Sequence, residues 1–142
     1  MGILTDLVVG DDGDAEKIVN TQVPSQTFGG VDIKGIDTVK FGALHSILTG
    51  RPIDELFAVY QPAATASHDE AWVFTIPTEL VTRLAKLTTA ERQSVAERWF
   101  QTDAFRLDRW NVRSVTTVMD KICAEATKAS SSQRSLFLWM SL

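Results

Sequence analysis

Ser135-Leu136-Phe137-Leu138-Trp139-Met140-Ser141-Leu142, the last eight residues of the printed sequence, form an apolar run with no polar tail after it. Chain ends are usually frayed and solvated, so a terminal run of this composition would leave large side chains in water. Fully burying one Leu, Phe or Met side chain stabilises a protein by about 1.5–3 kcal/mol. We therefore predict that residues 135–142 form a strand inside a sheet and that the fold closes on this segment.

Three further stretches are rich in β-branched and aromatic residues, and each predicts a strand: Ile3–Val9, Phe57–Tyr60 and Trp72–Ile76. Residues 61–71 lie between the last two strands, are small and polar, and include Pro62, so they predict a loop. The segment from Val23 to Gly30 holds one proline and two glycines and also predicts a loop.

Apolar residues at helical spacing predict five helices: Ala15–Thr21, Thr38–Thr49, a helix that begins at Thr78, a helix from Thr88 to about Gln101, and a helix from Asn111 to Lys128. Residues 54–57 predict one further helical turn. The predicted N-caps of these helices are, in chain order, Asp12 or Asp14, Asp37, Thr78, Thr88 and Asn111. Ser130–Ser132 predicts an exposed connector. This order of elements indicates an α+β protein of one domain, residues 1–142, with four to five helices on one face of a small mixed or antiparallel sheet that includes both terminal strands.

Composition excludes several classes of protein. The 142 residues are 44% hydrophobic and 23% charged, which is typical of a globular domain and not of a disordered chain. No apolar stretch approaches the length of a membrane span, and the first residues lack the pattern of a signal peptide, so we expect a cytoplasmic protein that does not bind membranes. Cys123 is the single cysteine, which excludes an internal disulfide and predicts a small buried side chain.

The charges are unevenly distributed along the chain. Residues 1–75 hold 11 acidic and 4 basic side chains, whereas residues 76–142 hold 7 acidic and 10 basic ones. Such a distribution either solvates two faces of the domain or favours self-association or an oriented encounter with a protein partner. The net charge of −4 argues against nucleic-acid binding, which normally uses a basic surface. We expect a protein partner or a homo-oligomer.

The chain has two histidines, and they are the candidate catalytic residues. His45 lies on a predicted helix, and His68 stands beside Asp69 and Glu70 in a predicted loop. Such groups can shuttle protons or bind a divalent cation, but the sequence favours a packed histidine at position 45 and a solvated turn at residues 68–70. The sequence has no nucleophile-elbow, Walker or dinucleotide-binding motif. We therefore predict no metal and no cofactor.

Arginines alternate with aromatic residues between the last two predicted helices. Arg106, Arg109 and Arg113 accompany Trp110, and Trp and Arg are the residues most enriched at binding hot spots. These four residues are the candidate interaction surface. In the alternative interpretation, Trp110 closes the junction between two helices and the arginines form local ion pairs with Asp103 and Asp108.

The segment Leu44-His45-Ser46-Ile47-Leu48-Thr49-Gly50 resembles the Leu-His-x-x-Leu-Thr-Gly segment of the YfbM-like bacterial proteins, a family of unknown function. The resemblance implies a small cytoplasmic α+β domain, and it supplies no catalytic residues.

Because no coherent catalytic set is present, we predict a non-catalytic protein-interaction domain, either self-associating or toxin-neutralising. Two alternatives stay open. One is a small hydrolase or metal-dependent enzyme that uses His45, His68, Asp69 and Glu70. The other is a small-molecule binding module, with Phe28–Gly30 and Pro62–Ser67 placed over an apolar pocket.

Overall fold

The computed structural model describes residues 3–68 and 70–142, which form one antiparallel sheet with helices packed on it. The sheet has the strand order β2-β1-β5-β4-β3, and its strands are β1 (Leu4–Gly10), β2 (Val31–Asp32), β3 (Pro62–Thr65), β4 (Ala71–Thr75) and β5 (Ser135–Ser141). The predicted α+β class, with both terminal strands in the sheet, is confirmed.

Seven α-helices occur in the described residues: α1 (Ala15–Val19), α2 (Pro24–Phe28), α3 (Thr38–Thr49), α4 (Ile53–Leu56), α5 (Thr78–Lys86), α6 (Thr89–Phe100) and α7 (Val112–Ser132). Short 3₁₀ turns cover Asp12–Asp14 and Asp103–Phe105. Three of the predicted N-caps are present, because the side chains of Asp37, Thr88 and Asn111 each accept a hydrogen bond from a backbone N–H in the first turn of α3, α6 and α7 respectively. The prediction of Thr78 as a cap is wrong, since Thr78 is the first residue of α5 and Pro77 precedes it. Asp14 precedes α1, but its carboxylate accepts from the Asp11 N–H and makes no capping hydrogen bond to that helix. Among the described helices, none has the length and apolarity that crossing a bilayer requires.

The C-terminal strand β5 is the centre of the sheet, as the apolar run predicts. It pairs with β1 from Gly10 opposite Ser135 to Leu4 opposite Ser141, and on its other side it pairs with β4. Successive side chains of a strand point to opposite faces. Accordingly Leu136, Leu138 and Met140 pack in one core, whereas Phe137 and Trp139 pack in a second.

Helices cover both faces of the sheet, so the prediction of helices on one face is wrong. The larger core lies under α3, α5, α6 and α7, and its fully buried members include Phe41, Leu80, Trp99 and Ile122. The second core holds Ile18 and Val19 from α1, with Phe28 from α2 packed against it. The second face needs this cover because both side-chain rows of β5 are apolar.

The prediction of a strand over Phe57–Tyr60 is wrong, and so is the prediction of a loop over residues 61–71. Residues 57–60 continue from α4 as a turn, and β3 begins at Pro62. Pro62 is the first residue of an edge strand, a position where the missing N–H costs no hydrogen bond of the ladder. Small side chains gave β3 no apolar alternation from which to predict it.

The loop predicted over residues 23–30 instead contains α2. Pro24 occupies the first turn of the helix, where its fixed backbone angle is favourable, and Gly29 ends it in the left-handed region with φ of 74°. The proposed serine connector is also helical. Ser131 and Ser132 donate hydroxyl hydrogen bonds of 2.7 Å to the carbonyls of Thr127 and Lys128, so the helix continues through them.

We predict that Leu138→Ala lowers the free energy of unfolding by about 2–5 kcal/mol, because the side chain is fully buried in the central strand and its loss leaves a cavity. Urea denaturation followed by circular dichroism measures the change. The control is Leu142→Ala, which removes a side chain that is 71% exposed and is expected to change stability by less than about 0.5 kcal/mol. Equal losses in the two variants would contradict the central position of β5.

Candidate functional site

His45 is fully buried and both of its ring nitrogens are engaged. Nδ1 lies 3.1 Å from the hydroxyl oxygen of Tyr60, and Nε2 lies 2.6 Å from the Oε1 atom of Glu79. A carboxylate only accepts, so Nε2 carries the proton and, in the neutral ring, Nδ1 accepts from the Tyr60 hydroxyl. The three residues come from α3, from the turn before β3 and from α5, so the imidazole joins three separate segments of the chain.

The carboxylate of Glu79 receives a second donor, the guanidinium Nη1 of Arg51 at 2.5 Å. The hydrogen bonds from His45 and then from Arg51 lower the pKa of Glu79 below its ordinary value, so the carboxylate stays ionised. Burial, followed by the charge of Glu79, raises the pKa of Tyr60, so its hydroxyl stays protonated. Both ring nitrogens of His45 thus have protein partners, and neither is free to bind a metal or a substrate.

His68 lies in the exposed turn between β3 and β4, and its Nδ1 accepts a hydrogen bond of 3.1 Å from the backbone N–H of Glu70. No hydrogen bond or ion pair of the described residues connects His68 with His45, and Asp69 lies outside those residues. The structure therefore does not bring the two histidines together. No cluster of three or more His, Cys, Asp or Glu side chains suited to a metal ion occurs in residues 3–68 and 70–142.

Cys123 is fully buried on α7, as predicted. Burial is the main cause that raises the pKa of its thiol to about 11. A thiol that stays protonated is a poor nucleophile, because the thiolate is the reactive form. His45 and Cys123 are thus buried with their reactive atoms engaged or protonated, whereas His68 and Glu70 lie on the surface.

Residues 105–113, named here the α6–α7 loop, contain the predicted interaction residues. Phe105 is buried and packs edge to face on Trp99 and on Trp110, with ring centroids 5.0 Å and 5.5 Å away. Trp110 is half-buried and lies against Gly35, where an added Cβ would approach the indole to 3.3 Å. Trp110 thus joins the α6–α7 loop to the segment after β2 through its contacts with Phe105 and Gly35.

Lys40 fixes the same loop to the first turn of α3. Its side chain is 5% exposed, its Nζ donates to the Asp108 carboxylate at 2.5 Å, and it lies 5.3 Å from the centroid of the Phe105 ring. The indole of Trp99 donates to the backbone carbonyl of Lys40 over 2.8 Å. These contacts anchor the α6–α7 loop to α3 and α6.

The α6–α7 loop presents Leu107 to solvent with 95% of its surface exposed. Arg106, Arg109 and Arg113 are exposed around it, and Arg106 lies 3.6 Å from Asp103. The alternation of Arg with aromatic residues predicted the three arginines but not Leu107. Leu107 is a single leucine between two charged residues and belongs to no helical or alternating pattern. The sequence therefore gives no reason to predict that Leu107 lies in an interaction surface.

A second exposed apolar feature adjoins the loop, and we name it the α3–α4 groove after the helices that form it. Val39, Ile53 and Phe57 line it and are 48%, 39% and 60% exposed. The groove has a volume of about 440 Å³, and Ala104 belongs to its far wall, next to the α6–α7 loop. The α4 side also carries Asp54 and Glu55, both exposed. The first turn of α3 thus has the apolar groove and the acidic residues of α4 on one side, and the α6–α7 loop with its arginines on the other.

No protein-family model, curated protein or solved structure matches this chain. The resemblance of residues 44–50 to the YfbM-like proteins therefore stays a prediction.

We predict that Asp108→Ala destabilises the domain more than Lys40→Met does. Removing the carboxylate leaves a buried ammonium without its partner at a cost of about 1–3 kcal/mol, whereas Met keeps the length of the Lys40 side chain and leaves only an exposed carboxylate behind. Thermal and urea unfolding of both variants measure the difference. A larger loss in Lys40→Met would show that Lys40 does not depend on Asp108.

We predict that the hydrogen bonds to Glu79 make folding stability dependent on pH in the acidic range. Its folded-state pKa lies below the ordinary value of 4.5, so the stability that it contributes is present above that pH and is lost as the pH falls through the folded-state pKa. The free energy of unfolding, measured from about pH 5 downward, should fall more steeply for the native chain than for Glu79→Gln. Glu97→Gln, on the exposed surface of α6, is the matched control and should follow the native chain.

Proposed function

We propose that the protein is a non-catalytic interaction domain that binds a second copy of itself through the α6–α7 loop and the α3–α4 groove. The exposure of Leu107 on a loop fixed by Trp110 and Lys40 is the observation that carries the proposal. Exposed apolar side chains that form one surface mark interaction sites more often than single scattered ones do. Here Leu107 follows, three residues along the chain, Ala104 of the groove wall, and the groove also contains Phe57 and Ile53, both exposed.

Charge complementarity favours a second copy as the partner. One side of the surface carries Asp54 and Glu55 on α4, and the other side carries Arg106 and Arg109 on the α6–α7 loop. In a two-fold dimer each contact occurs twice, because the same patch meets itself in rotated form. A two-fold axis near the first turn of α3 would place the acidic α4 of each copy opposite the basic loop of the other.

The apolar contacts would supply most of the binding free energy in such a dimer. Leu107 and Phe57 are each present in both copies, and burying one such side chain is worth about 1.5–3 kcal/mol. Exposed ion pairs contribute about 0.2–1 kcal/mol each, so the arginines and acids act chiefly by fixing the orientation of the two copies. The catalytic alternative lacks comparable support, since both nitrogens of His45 already have protein partners.

We predict that the native chain is a dimer at micromolar concentration and that Leu107→Asp is a monomer that remains folded. The substitution places a carboxylate at the centre of the apolar contact, while in the isolated chain the side chain is in water. Sedimentation equilibrium over a range of concentrations measures the association. The matched control is Leu142→Asp, whose exposed side chain lies outside the proposed surface and should leave the dimer intact.

A charge exchange tests the orientation within the same experiment. Glu55→Arg and Arg109→Glu should each weaken the dimer, because like charges then meet twice. Mixing the two variants, or combining both changes in one chain, should restore association, because opposite charges meet again. A native chain that stays monomeric at every concentration would overturn the proposed function. A dimer that none of these substitutions affects would overturn the proposed surface.

A further inference from the structure

A pocket of about 340 Å³ lies at the end of the sheet where α7 leads into β5. Its lining comes from the end of β4, the first half of α5, the end of α7 and the start of β5. The volume falls in the range of pockets that hold small molecules, about 300–1,000 Å³. The pocket shares no residue with the α6–α7 loop or the α3–α4 groove, so an inference about it is independent of the proposed dimer.

The pocket combines an apolar base with a polar rim. Ile76, Val81 and Leu136 line it and are buried, so they form its inner part. Hydroxyl groups that solvent reaches surround them, and they belong to Thr75, Thr78, Thr82, Ser130 and Ser135. Small-molecule sites have this composition, because apolar surface supplies contact area and a few polar groups fix the orientation of the ligand.

Arg134 and Asp12 place one positive and one negative charge in the lining. The Nε atom of Arg134 donates to the Asp11 carboxylate at 3.0 Å, and the Asp12 Oδ1 atom accepts from the Ser135 hydroxyl. Within the described part of the chain, the two Nη atoms of Arg134 and the Oδ2 atom of Asp12 have no further partner. The Nη pair can bind a carboxylate through two parallel hydrogen bonds, and Oδ2 can accept from an ammonium group.

The other acidic side chains of this region lie outside the pocket and have partners of their own. Asp11 is paired with Arg134, and Asp14 accepts from the Asp11 N–H at 2.9 Å and lies 4.0 Å from the Lys17 ammonium. The charged groups that face a ligand are therefore the guanidinium of Arg134 and the carboxylate of Asp12. A ligand with a single charge matches only one of them, whereas a zwitterion matches both.

Gln133 supplies a second indication of a ligand. It is the one residue other than glycine with a positive φ among the described residues, and its φ of 56° ends α7 in the left-handed region. Glycine is the usual residue at this position, because it has no Cβ to clash. The exposed Gln133 side chain lines the pocket, so its amide adds a donor and an acceptor to the rim that glycine would not provide.

We infer that this pocket binds a free α-amino acid with an apolar side chain. Its carboxylate accepts hydrogen bonds from Arg134, its ammonium group donates to Asp12, and its side chain covers the apolar base. Arg134 precedes Ser135, which holds Asp12, so the two charged groups converge on one ligand. The amide of Gln133 completes the hydrogen bonds of the ligand.

Isothermal titration calorimetry of the full chain tests the class of ligand. The probes are L-valine, L-leucine and L-methionine, together with L-leucinamide, which lacks the carboxylate, and 4-methylpentanoate, which lacks the ammonium group. We expect at least one of the three amino acids to bind, and L-leucine to bind at least tenfold more tightly than either of its analogues. Absence of binding by all three amino acids would overturn the site. Binding of either analogue as tight as that of L-leucine would overturn the zwitterion.

Substitutions test the residues that hold the two charges. Arg134→Gln and Asp12→Asn should each weaken binding of the amino acid at least tenfold, with circular dichroism to verify that each variant is folded. The matched control is Arg98→Gln, which changes an exposed arginine of α6 outside the pocket and should leave binding unchanged. Undiminished binding in both Arg134→Gln and Asp12→Asn would overturn the site.

Gln133→Gly separates a role in binding from a role in folding. Because glycine adopts the left-handed region without steric cost, the melting temperature of this variant should equal or exceed that of the native chain. Binding of the amino acid should nevertheless weaken several-fold, since the amide is lost. Native affinity in Gln133→Gly would overturn the contact between Gln133 and the ligand.

Discussion

The pairing of β5 with strands on both sides is the constraint on which the structure depends. Because β5 lies between β1 and β4, it joins the first segment of the chain to the middle one, and its alternating side chains supply both cores. A shift of one residue in its register would exchange Leu138 with Phe137 and move each row to the wrong face. The helices on either face pack against a surface that this register defines, so the position of every site described above follows from it.

The same constraint explains why the two faces of the sheet are covered differently. The longer helices α3, α5, α6 and α7 pack on one face, and the candidate surface lies on the outer side of α3 and α4 and on the loop after α6. The short helices α1 and α2 cover the other face only in part, and beside the end of α1 the floor of a pocket is the sheet itself. Trp139 and Leu138 are neighbours in β5, yet one lines that pocket and the other lies in the helical core.

Local signals in the sequence predicted the elements that local interactions determine. Asp37, Thr88 and Asn111 act as N-caps within one turn of their own helices, so short segments were enough to place them. The strand β3 escaped prediction because its state is set by pairing with β4 and not by its own small side chains. The candidate interaction surface was predicted only in part, because it too depends on contacts between residues that are distant in the sequence. The arginines were visible in the sequence, but the exposure of Leu107 depends on a contact between Lys40 and Asp108, which are 68 residues apart.

The hydrogen-bond and ion-pair partners of the polar side chains distinguish those that stabilise the fold from those that are free to contact a partner. His45, Tyr60 and Glu79 satisfy one another, and Lys40 is paired with Asp108, so these polar side chains stabilise the positions of helices and loops. Rigidity of this kind matters for binding, because a loop that is already ordered loses little conformational entropy when a partner covers it. The stacking of Phe105 and Trp110 and the ion pair of Lys40 thus act on Leu107 without touching any partner. Their effect is to hold the backbone that carries Leu107, while the Leu107 side chain itself stays in solvent.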